Sequence, residues 1–126
     1  MNNVQGKVWG NTRPLFFKNN VEIHRIEASA GGYCSKHCHE HKYNLFYVER
    51  GKLKITAWKN DYNLVDETII SDGQSTVIPP KEYHTFEAIE DTVAYEIYWV
   101  ELLEKDITRE NCGGVPPSIL LDNEPS

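Results

Sequence analysis

Residues 31–51 carry the sequence GGYCSKHCHEHKYNLFYVERG, which contains three histidines at alternate positions, His37, His39 and His41. Side chains two residues apart in a β-strand point to the same face of the strand. A polar strand over residues 36–41 would therefore bring neighbouring imidazoles together on one side. Two rings that tilt toward each other can reach one ion at about 2.1 Å, the usual metal–nitrogen distance. The pattern predicts part of a metal site.

Another histidine downstream completes the candidate site. His84 follows the turn sequence PPKEY at residues 79–83, where it begins another predicted strand. It supplies a third nitrogen if the sheet closes on itself, and the side-chain oxygen of Asn44 is a candidate fourth ligand. We also weigh two alternatives, a polar edge strand that binds nothing and a zinc knuckle that uses Cys34 and Cys38. No second Cys or His pair stands at zinc-finger spacing, which favours the histidine site.

The rest of the chain is typical of an all-β fold. Short segments of alternating or β-branched side chains are separated by Gly, Pro, Asn and Asp, and a short helix over residues 102–110 is the sole helix predicted. The predicted strands span residues 21–26, 36–41, 44–49, 52–58, 67–71, 74–78, 84–89 and 92–101. We therefore expect one domain over residues 1–126, with a barrel core at about 20–101, an N-terminal arm at 1–19 and a C-terminal segment at 102–126.

Composition and charge exclude several classes of protein. Of the 126 residues, 40% are hydrophobic and 25% are charged, which is enough apolar bulk to exclude an intrinsically disordered protein. The formal net charge of −6 argues against nucleic acid as a partner. No window of about eighteen apolar residues predicts a membrane span, and no secretory signal is recognisable. Three cysteines are too few for a disulfide framework, so we expect a cytoplasmic protein.

The spacing of glycines and histidines resembles that of the two sequence motifs of the cupin superfamily. The first motif has a glycine, a His-x-His pair, an acidic residue and a second glycine, and the second has a glycine, a proline and a histidine. The matching residues are Gly31, His37, His39, Asn44 and Gly51 in the first motif and Gly73, Pro79 and His84 in the second. The resemblance implies an all-β double-stranded β-helix, which is the cupin or jelly-roll barrel. It also implies a divalent metal ion (Zn, Mn, Fe or Ni) on His37, His39 and His84.

The chain departs from these motifs at three positions. Asn44 replaces the Glu of the first motif, so a neutral amide oxygen stands where a carboxylate ligand is usual, and we expect weaker metal binding. His41 could replace that carboxylate or orient a bound ligand through its second ring nitrogen. Lys81 and Ala88 replace the Gly and Asn of the second motif, which alters a turn and removes a side chain without excluding the fold.

A narrower resemblance extends over residues 8–113. The tripeptide Val8-Trp9-Gly10, residues 44–51, Glu96 and the segment EKDITR at 104–109 are similar to the cupin domain of type II mannose-6-phosphate isomerases. The resemblance implies a metal-dependent aldose–ketose isomerase that acts on a sugar phosphate or a nucleotide sugar. Thr85 departs from this family, which commonly carries an Arg directly after the histidine of the second motif.

Residues other than those of the two motifs are further candidates for the site. Glu96 is a candidate proton shuttle, and Arg109 matches an Arg of that family and can clamp an anion through two hydrogen bonds. Tyr83 and Tyr98 are candidates for the wall of the ligand cavity if the strand register turns them inward. His24 lies alone on an alternating strand and is given no role.

The expected function is metal-assisted isomerisation of a sugar phosphate or a similar small molecule, and two other functions stay open. Three neutral histidines also suit an Fe(II) dioxygenase, because open coordination positions let substrate and dioxygen bind together. The missing Glu and Arg favour instead a non-catalytic cupin that binds a sugar or a small acid. Apolar residues outside the barrel, namely Trp9, residues 15–17 and residues 115–121, predict the face of a homodimer.

Overall fold

The fold is given by a computed structural model that describes residues 5–59, 64–101 and 110–116. Within these residues the chain forms β-strands and no helix, which confirms the all-β prediction. The strands are β1 (Gln5–Lys7), β2 (Gly10–Lys18), β3 (Val21–Ala28), β4 (Tyr43–Arg50), β5 (Lys52–Lys59), β6 (Leu64–Ser71), β7 (Ser75–Ile78), β8 (Tyr83–Ala88) and β9 (Thr92–Trp99). The helix predicted over residues 102–110 lies, apart from Glu110, outside the described residues. A search of the described residues finds no helix able to cross a membrane.

The strands form two antiparallel sheets. The larger sheet has the order β1-β2-β3-β9-β4-β7, and the smaller has the order β6-β5-β8. Strand β9 lies between β3 and β4 although it is the last of the strands in sequence, and this connectivity is that of a jelly roll. The fold is therefore the double-stranded β-helix that the sequence predicts. Strand β2 pairs with β3 along most of its length, so the sheet extends upstream of the predicted barrel core at about 20–101.

A hydrophobic core fills the space between the two sheets. Alternate side chains are buried over most of β4 and β5, which is the pattern of strands that have one face on a core. The core side chains of the large sheet are Ile26, Ala28, Phe46, Val48, Ile78 and Ala94, and those of the small sheet are Leu53, Ile55, Ala57, Ile70, Phe86 and Ala88. The rings of Phe46 and Phe86 join the two groups, with centroids 6.0 Å apart.

The turn between β4 and β5 requires a glycine. Gly51 has a φ of 109°, a backbone conformation that side chains other than hydrogen rarely allow. A Cβ atom there would lie 2.4 Å from Oγ1 of Thr92 and 2.6 Å from the carbonyl oxygen of Asp91. The close approach of this turn to the start of β9 therefore explains why the first motif ends in a glycine, Gly51.

The β3–β4 connection (residues 29–42) does not form the predicted strand. His37 makes an isolated bridge with His84, with N–H···O distances of 3.2 and 2.9 Å in the two directions. Beyond His37 the pairing shifts by one residue, since the carbonyl oxygen of His39 accepts the Lys81 N–H at 2.7 Å, in the turn before β8. The prediction of a strand over residues 36–41 is wrong, although the connection still runs beside β8.

Candidate metal centre

Three of the predicted metal ligands meet where the β3–β4 connection runs beside β8. His37 and His39 belong to the connection, and His84 is the second residue of β8. One nitrogen from each ring lies within 4.8 Å of the nitrogens chosen from the other two. The ring centroids are 5.2 Å apart for His37 and His39, 4.6 Å for His37 and His84, and 5.6 Å for His39 and His84. Such a group could hold a divalent ion.

Backbone carbonyls orient two of the three rings. The Nδ1 atom of His37 lies 2.7 Å from the carbonyl oxygen of Ser35, and Nδ1 of His84 lies 3.0 Å from that of Glu82. A carbonyl oxygen only accepts, so each Nδ1 carries the hydrogen and donates it. In the neutral rings the lone pairs are then on Nε2. Histidine ligands are commonly oriented in this way, with one nitrogen bound to a fixed acceptor and the other available to the ion.

The buried polar atoms around the rings fit a cation. Nε2 of His39 is buried and has no hydrogen-bond partner in the part of the chain that the structure describes. Nε2 of His84 lies 3.2 Å from Oδ1 of Asn44, whose side chain is fully buried. Because Nδ1 of His84 carries the hydrogen, the neutral ring presents one lone pair to another. Lone pairs that meet inside the protein without a proton between them suit a divalent ion, with Asn44 as the candidate fourth ligand.

The electrostatic surroundings keep two of the rings neutral. Burial, followed by the charges of His37 and His84, lowers the pKa of His39 to about 4. Burial also lowers the pKa of His84, against the opposing effect of its hydrogen bond to Glu82. Metal binding requires unprotonated imidazoles, so these shifts leave the nitrogens ready for an ion at neutral pH.

A cavity of about 550 Å³ adjoins the three-histidine group. Its wall includes His37 from the metal centre, the aromatic rings of Trp9 and Phe86, and the buried Glu96 of β9. The rings of Trp9 and Phe86 meet edge to face, with centroids 5.0 Å apart. The volume is within the usual range for a site that binds a small molecule.

Glu96 and Tyr98 form a hydrogen-bonded pair in this cavity. The Tyr98 hydroxyl donates to Oε2 of Glu96, and the Tyr98 ring lies 4.8 Å from that of His39 between centroids. Burial raises the pKa of Glu96, although the hydrogen bond from Tyr98 opposes this shift. Burial and the charge of Glu96 raise the pKa of Tyr98. A carboxyl that keeps its proton to higher pH than usual, next to a metal centre, is suited to general acid–base chemistry.

The other predicted site residues lie elsewhere. His41 is exposed and does not belong to the three-histidine group. Tyr83, the residue before His84, is 45% exposed and does not line the cavity; its ring lies 5.8 Å from Nζ of Lys36. Arg109 lies outside the described residues.

The two cysteines of the zinc-knuckle alternative are free thiols outside the three-histidine group. Cys34 is buried in the core, where its Sγ accepts the Phe86 N–H at 3.2 Å. Burial raises the pKa of Cys34 to about 11, so this thiol is a poor source of the thiolate that zinc requires. The geometry therefore favours the histidine ligands.

Two residues of the cavity wall were missed or misplaced by the sequence analysis. His24 lines the cavity directly opposite Glu96 in the β3–β9 pairing, a relationship visible only once the strand register is known. Trp9, predicted to lie in a dimer face, is half-buried against the core and lines the cavity. The tryptophan of the narrower resemblance thus belongs to the cavity.

The sequence matches the family model described as "Cupin domain" over residues 24–101, which is more than half of the chain. The chain therefore belongs to the cupin family, as the motif spacing indicates. The narrower resemblance to type II mannose-6-phosphate isomerases is not shown by these comparisons. No curated protein matches the sequence.

Solved structures share the fold at low sequence identity. KdgF from Halomonas sp. is 16% identical with a TM-score of 0.68, and the match covers 80% of this chain and 88% of that one. An RmlC-like cupin from Shewanella frigidimarina NCIMB 400 is 16% identical with a TM-score of 0.66, covering 79% of this chain and 85% of the other. A variant of oxalate decarboxylase from Bacillus subtilis is 13% identical with a TM-score of 0.71, covering 79% of this chain but only 27% of the decarboxylase. Likeness at such identities concerns the fold.

Proposed function

We propose that the protein is a metal-dependent cupin enzyme that isomerises a small sugar phosphate or a related hydroxycarbonyl compound. The observation that carries the proposal is the buried carboxyl of Glu96, which shares a cavity with His37 of the metal centre. Burial raises the pKa of this carboxyl, and ionisable groups with strongly perturbed pKa values cluster at functional sites. The narrower resemblance in sequence supports isomerisation as the reaction.

The arrangement assigns a task to each side chain. A divalent ion on His37, His39 and His84 would polarise the carbonyl oxygen of a bound substrate. Glu96 takes a proton from the carbon next to that carbonyl and returns it to the neighbouring carbon. Tyr98 holds the Glu96 carboxyl in one orientation through its hydrogen bond.

The cavity also offers a positive charge for the anionic end of a substrate. Lys7 lines the cavity, and its charge acts on Glu96. We also propose Arg109, which lies outside the described residues, as an anion clamp on the basis of the resemblance.

The homodimer and the cytoplasmic location are proposals as well. The candidate dimer face includes Leu15, Phe16 and Phe17, which are 45%, 42% and 54% exposed.

The first test is elemental analysis of the untagged protein, purified without chelator or added metal, beside a His37→Ala, His84→Ala double variant. Near-stoichiometric metal that is lost in the variant supports the site. The reaction is then tested by NMR, which follows deuterium from D₂O into fructose 6-phosphate and mannose 6-phosphate. We expect exchange in the metal-loaded wild type and a loss of about 100-fold or more in Glu96→Gln.

The control for this experiment is Glu90→Gln, because Glu90 is exposed on the β8–β9 turn. It should exchange like the wild type. No exchange by the metal-loaded wild type would contradict isomerisation of these sugar phosphates. Oxalate belongs in the panel of compounds as well, because one structural relative is an oxalate decarboxylase.

A second candidate function is ligand binding without turnover, which the neutral Asn44 favours because it lowers the charge that the ligands offer to an ion. Under this alternative, fructose 6-phosphate binds in calorimetry while no deuterium enters it. Oxygen consumption by the Fe(II)-loaded protein would point instead to the dioxygenase alternative.

A further inference from the structure

A second titratable side chain stands beside Glu96 on the cavity wall. In the pairing of β3 with β9, His24 is the partner of Glu96, so the two side chains stand on the same face of the sheet. Both line the cavity. The His24 ring also stands edge-on to the ring of Tyr98, with centroids 5.8 Å apart. The metal centre does not use this imidazole, so its presence needs another explanation.

Glu22 holds His24 in place. Nε2 of His24 lies 3.4 Å from Oε1 of Glu22, and Lys42 forms an ion pair with the other oxygen of the same carboxylate. The side chains of His24 and Glu22 are only 22% and 16% exposed. Both oxygens of Glu22 are therefore engaged, one by a cation and one by the imidazole.

The hydrogen bond determines which nitrogen of His24 is free. Burial alone would raise the pKa of Glu22, but the hydrogen bonds from Lys42 and His24 outweigh it and lower that pKa. Glu22 is thus a carboxylate, which only accepts, and Nε2 of His24 must carry the hydrogen. In the neutral ring the lone pair is then on Nδ1. A carboxylate that fixes the tautomer of an imidazole base is a recurring arrangement in acid–base catalysis.

We infer that Glu22 and His24 form a dyad that is a second proton-transfer group of the cavity, in addition to Glu96. The inference rests on the proposed isomerisation, which moves one proton between two carbons and another between two oxygens. Glu96 transfers the proton between the two carbons, and His24 transfers the proton between the two oxygens.

The transfer leaves the dyad unchanged at the end of each cycle. Nδ1 of His24 accepts the proton of a substrate hydroxyl, and the electron pair of the broken O–H bond stays on that oxygen. The imidazolium is paired with the Glu22 carboxylate while it carries the proton. It then gives the same proton to the neighbouring substrate oxygen and becomes neutral again.

The groups around His24 are suited to this task. Glu22 lies on its own strand, Lys42 comes from the β3–β4 connection, and Glu96 and Tyr98 stand on β9. On the β2 side the partner of His24 is Pro14, which is uncharged, and Lys7 of β1 lines the same cavity. Lys42 holds one oxygen of the Glu22 carboxylate in an ion pair, which leaves the other oxygen for the imidazole of His24.

NMR tests the dyad itself, independently of any reaction. In the zinc-loaded, ¹⁵N-labelled protein, long-range ¹H–¹⁵N spectra distinguish the two tautomers of each histidine. We expect His24 to be protonated on Nε2, in contrast to His37 and His84, which are held through Nδ1. Glu22→Ala should release this tautomer, because the carboxylate that accepts the Nε2 hydrogen is gone. An Nδ1-protonated His24 in the wild type, or an unchanged proportion of the two tautomers in Glu22→Ala, would overturn the dyad.

Kinetics test the transfer role with fructose 6-phosphate as the substrate. His24→Gln should lower the rate of interconversion about 100-fold while zinc stays bound, and imidazole in the buffer should restore part of the activity of His24→Gly. The matched control is Arg25→Gln, the next residue of β3, whose guanidinium pairs with Glu27. A His24→Gln variant as active as the wild type overturns the inference and leaves the isomerase proposal standing. An inactive wild type overturns the isomerase proposal and the transfer role with it, while the NMR result still decides whether the dyad exists.

Discussion

Nε2 of His84 faces Oδ1 of Asn44 at 3.2 Å, and both side chains are buried. Nδ1 of the same imidazole already donates its hydrogen to the carbonyl oxygen of Glu82, and burial lowers the pKa of the ring. Two acceptor atoms at this distance repel each other unless a positive charge lies between them or beside them, or the Asn44 amide turns its Nδ2 toward the ring. Asn44, which replaces the usual acidic residue of the cupin motif, is therefore placed where it can still contribute an oxygen to an ion.

Asn44→Asp should bind zinc about tenfold or more tightly than the wild type, because it adds a negative charge beside the three histidines. The metal-free variant should be less stable than the metal-free wild type, since its buried carboxylate then has no cation. Competition with a chromogenic chelator measures the affinity. Asn19→Asp, at the exposed turn between β2 and β3, is the control. Equal zinc affinity in Asn44→Asp and the wild type would exclude Asn44 from the ligand set.

His39→Gln should lower zinc affinity by about 100-fold or more, because it removes the buried nitrogen that has no other partner among the described residues. Cys38→Ser is the matched control, since Cys38 is the adjacent residue and a ligand only in the zinc-knuckle alternative. It should retain one zinc per chain in elemental analysis. Loss of zinc from Cys38→Ser, with retention in His39→Gln, would restore the zinc-knuckle interpretation.

The sequence predicted the fold better than it predicted the connection that carries the ligands. Turn residues and alternating strands identified the all-β fold, and the order of the two motifs identified the family. The strand expected over residues 36–41 does not form, because the connection pairs with its neighbour only at single residues, His37 with His84 and His39 with Lys81. Local alternation contains no information on such a long-range bond.

The histidines predicted from residue spacing meet in the structure, whereas not every residue whose position depends on strand register faces the cavity. His37, His39 and His84 meet, and Glu96 lies in the cavity beside them. Tyr83 does not face the cavity, and the sequence contained the reason: neighbours in a strand face opposite ways, so an inward His84 turns Tyr83 outward. His24 could not be found in the same manner, because its position opposite Glu96 depends on the pairing of strands far apart in sequence.

Gly51→Ala should destabilise the protein by about 3 kcal/mol or more, because the backbone has a positive φ and the new Cβ would collide with β9. Gly73→Ala is the matched control: its φ is 78°, but a Cβ there has no neighbour within 4 Å. It should cost only about 1–2 kcal/mol, the strain of the left-handed conformation alone. Urea unfolding monitored by tryptophan fluorescence measures both. Equal losses of stability would show that close packing against Thr92 is not what the glycine provides.

Glu96→Gln should raise the melting temperature at pH 7.5 and raise it less as the pH approaches 4.5. Burial raises the pKa of Glu96 above its ordinary value of 4.5, so above that pH the folded state binds more protons than the unfolded state. The contribution of Glu96 to stability is therefore complete below pH 4.5 and is lost as the pH rises through the folded-state pKa. Glutamine is neutral throughout and keeps an oxygen that accepts the hydrogen bond from Tyr98.

Calorimetry of the chelator-treated proteins at several pH values measures this difference. The lowered pKa values of His39 and His84 act in the opposite direction on acidification, but both residues are present in the wild type and the variant, so their effects cancel in the comparison. Glu90→Gln, at an exposed position on the β8–β9 turn, is the control variant. Zinc should reduce the advantage of Glu96→Gln, because a nearby cation favours the carboxylate and so removes the cost of burying it. A difference between Glu96→Gln and the wild type that stays constant from pH 4.5 to 7.5 would show that Glu96 is ionised like an ordinary surface carboxyl, and it would leave the proposed proton shuttle without its physical basis.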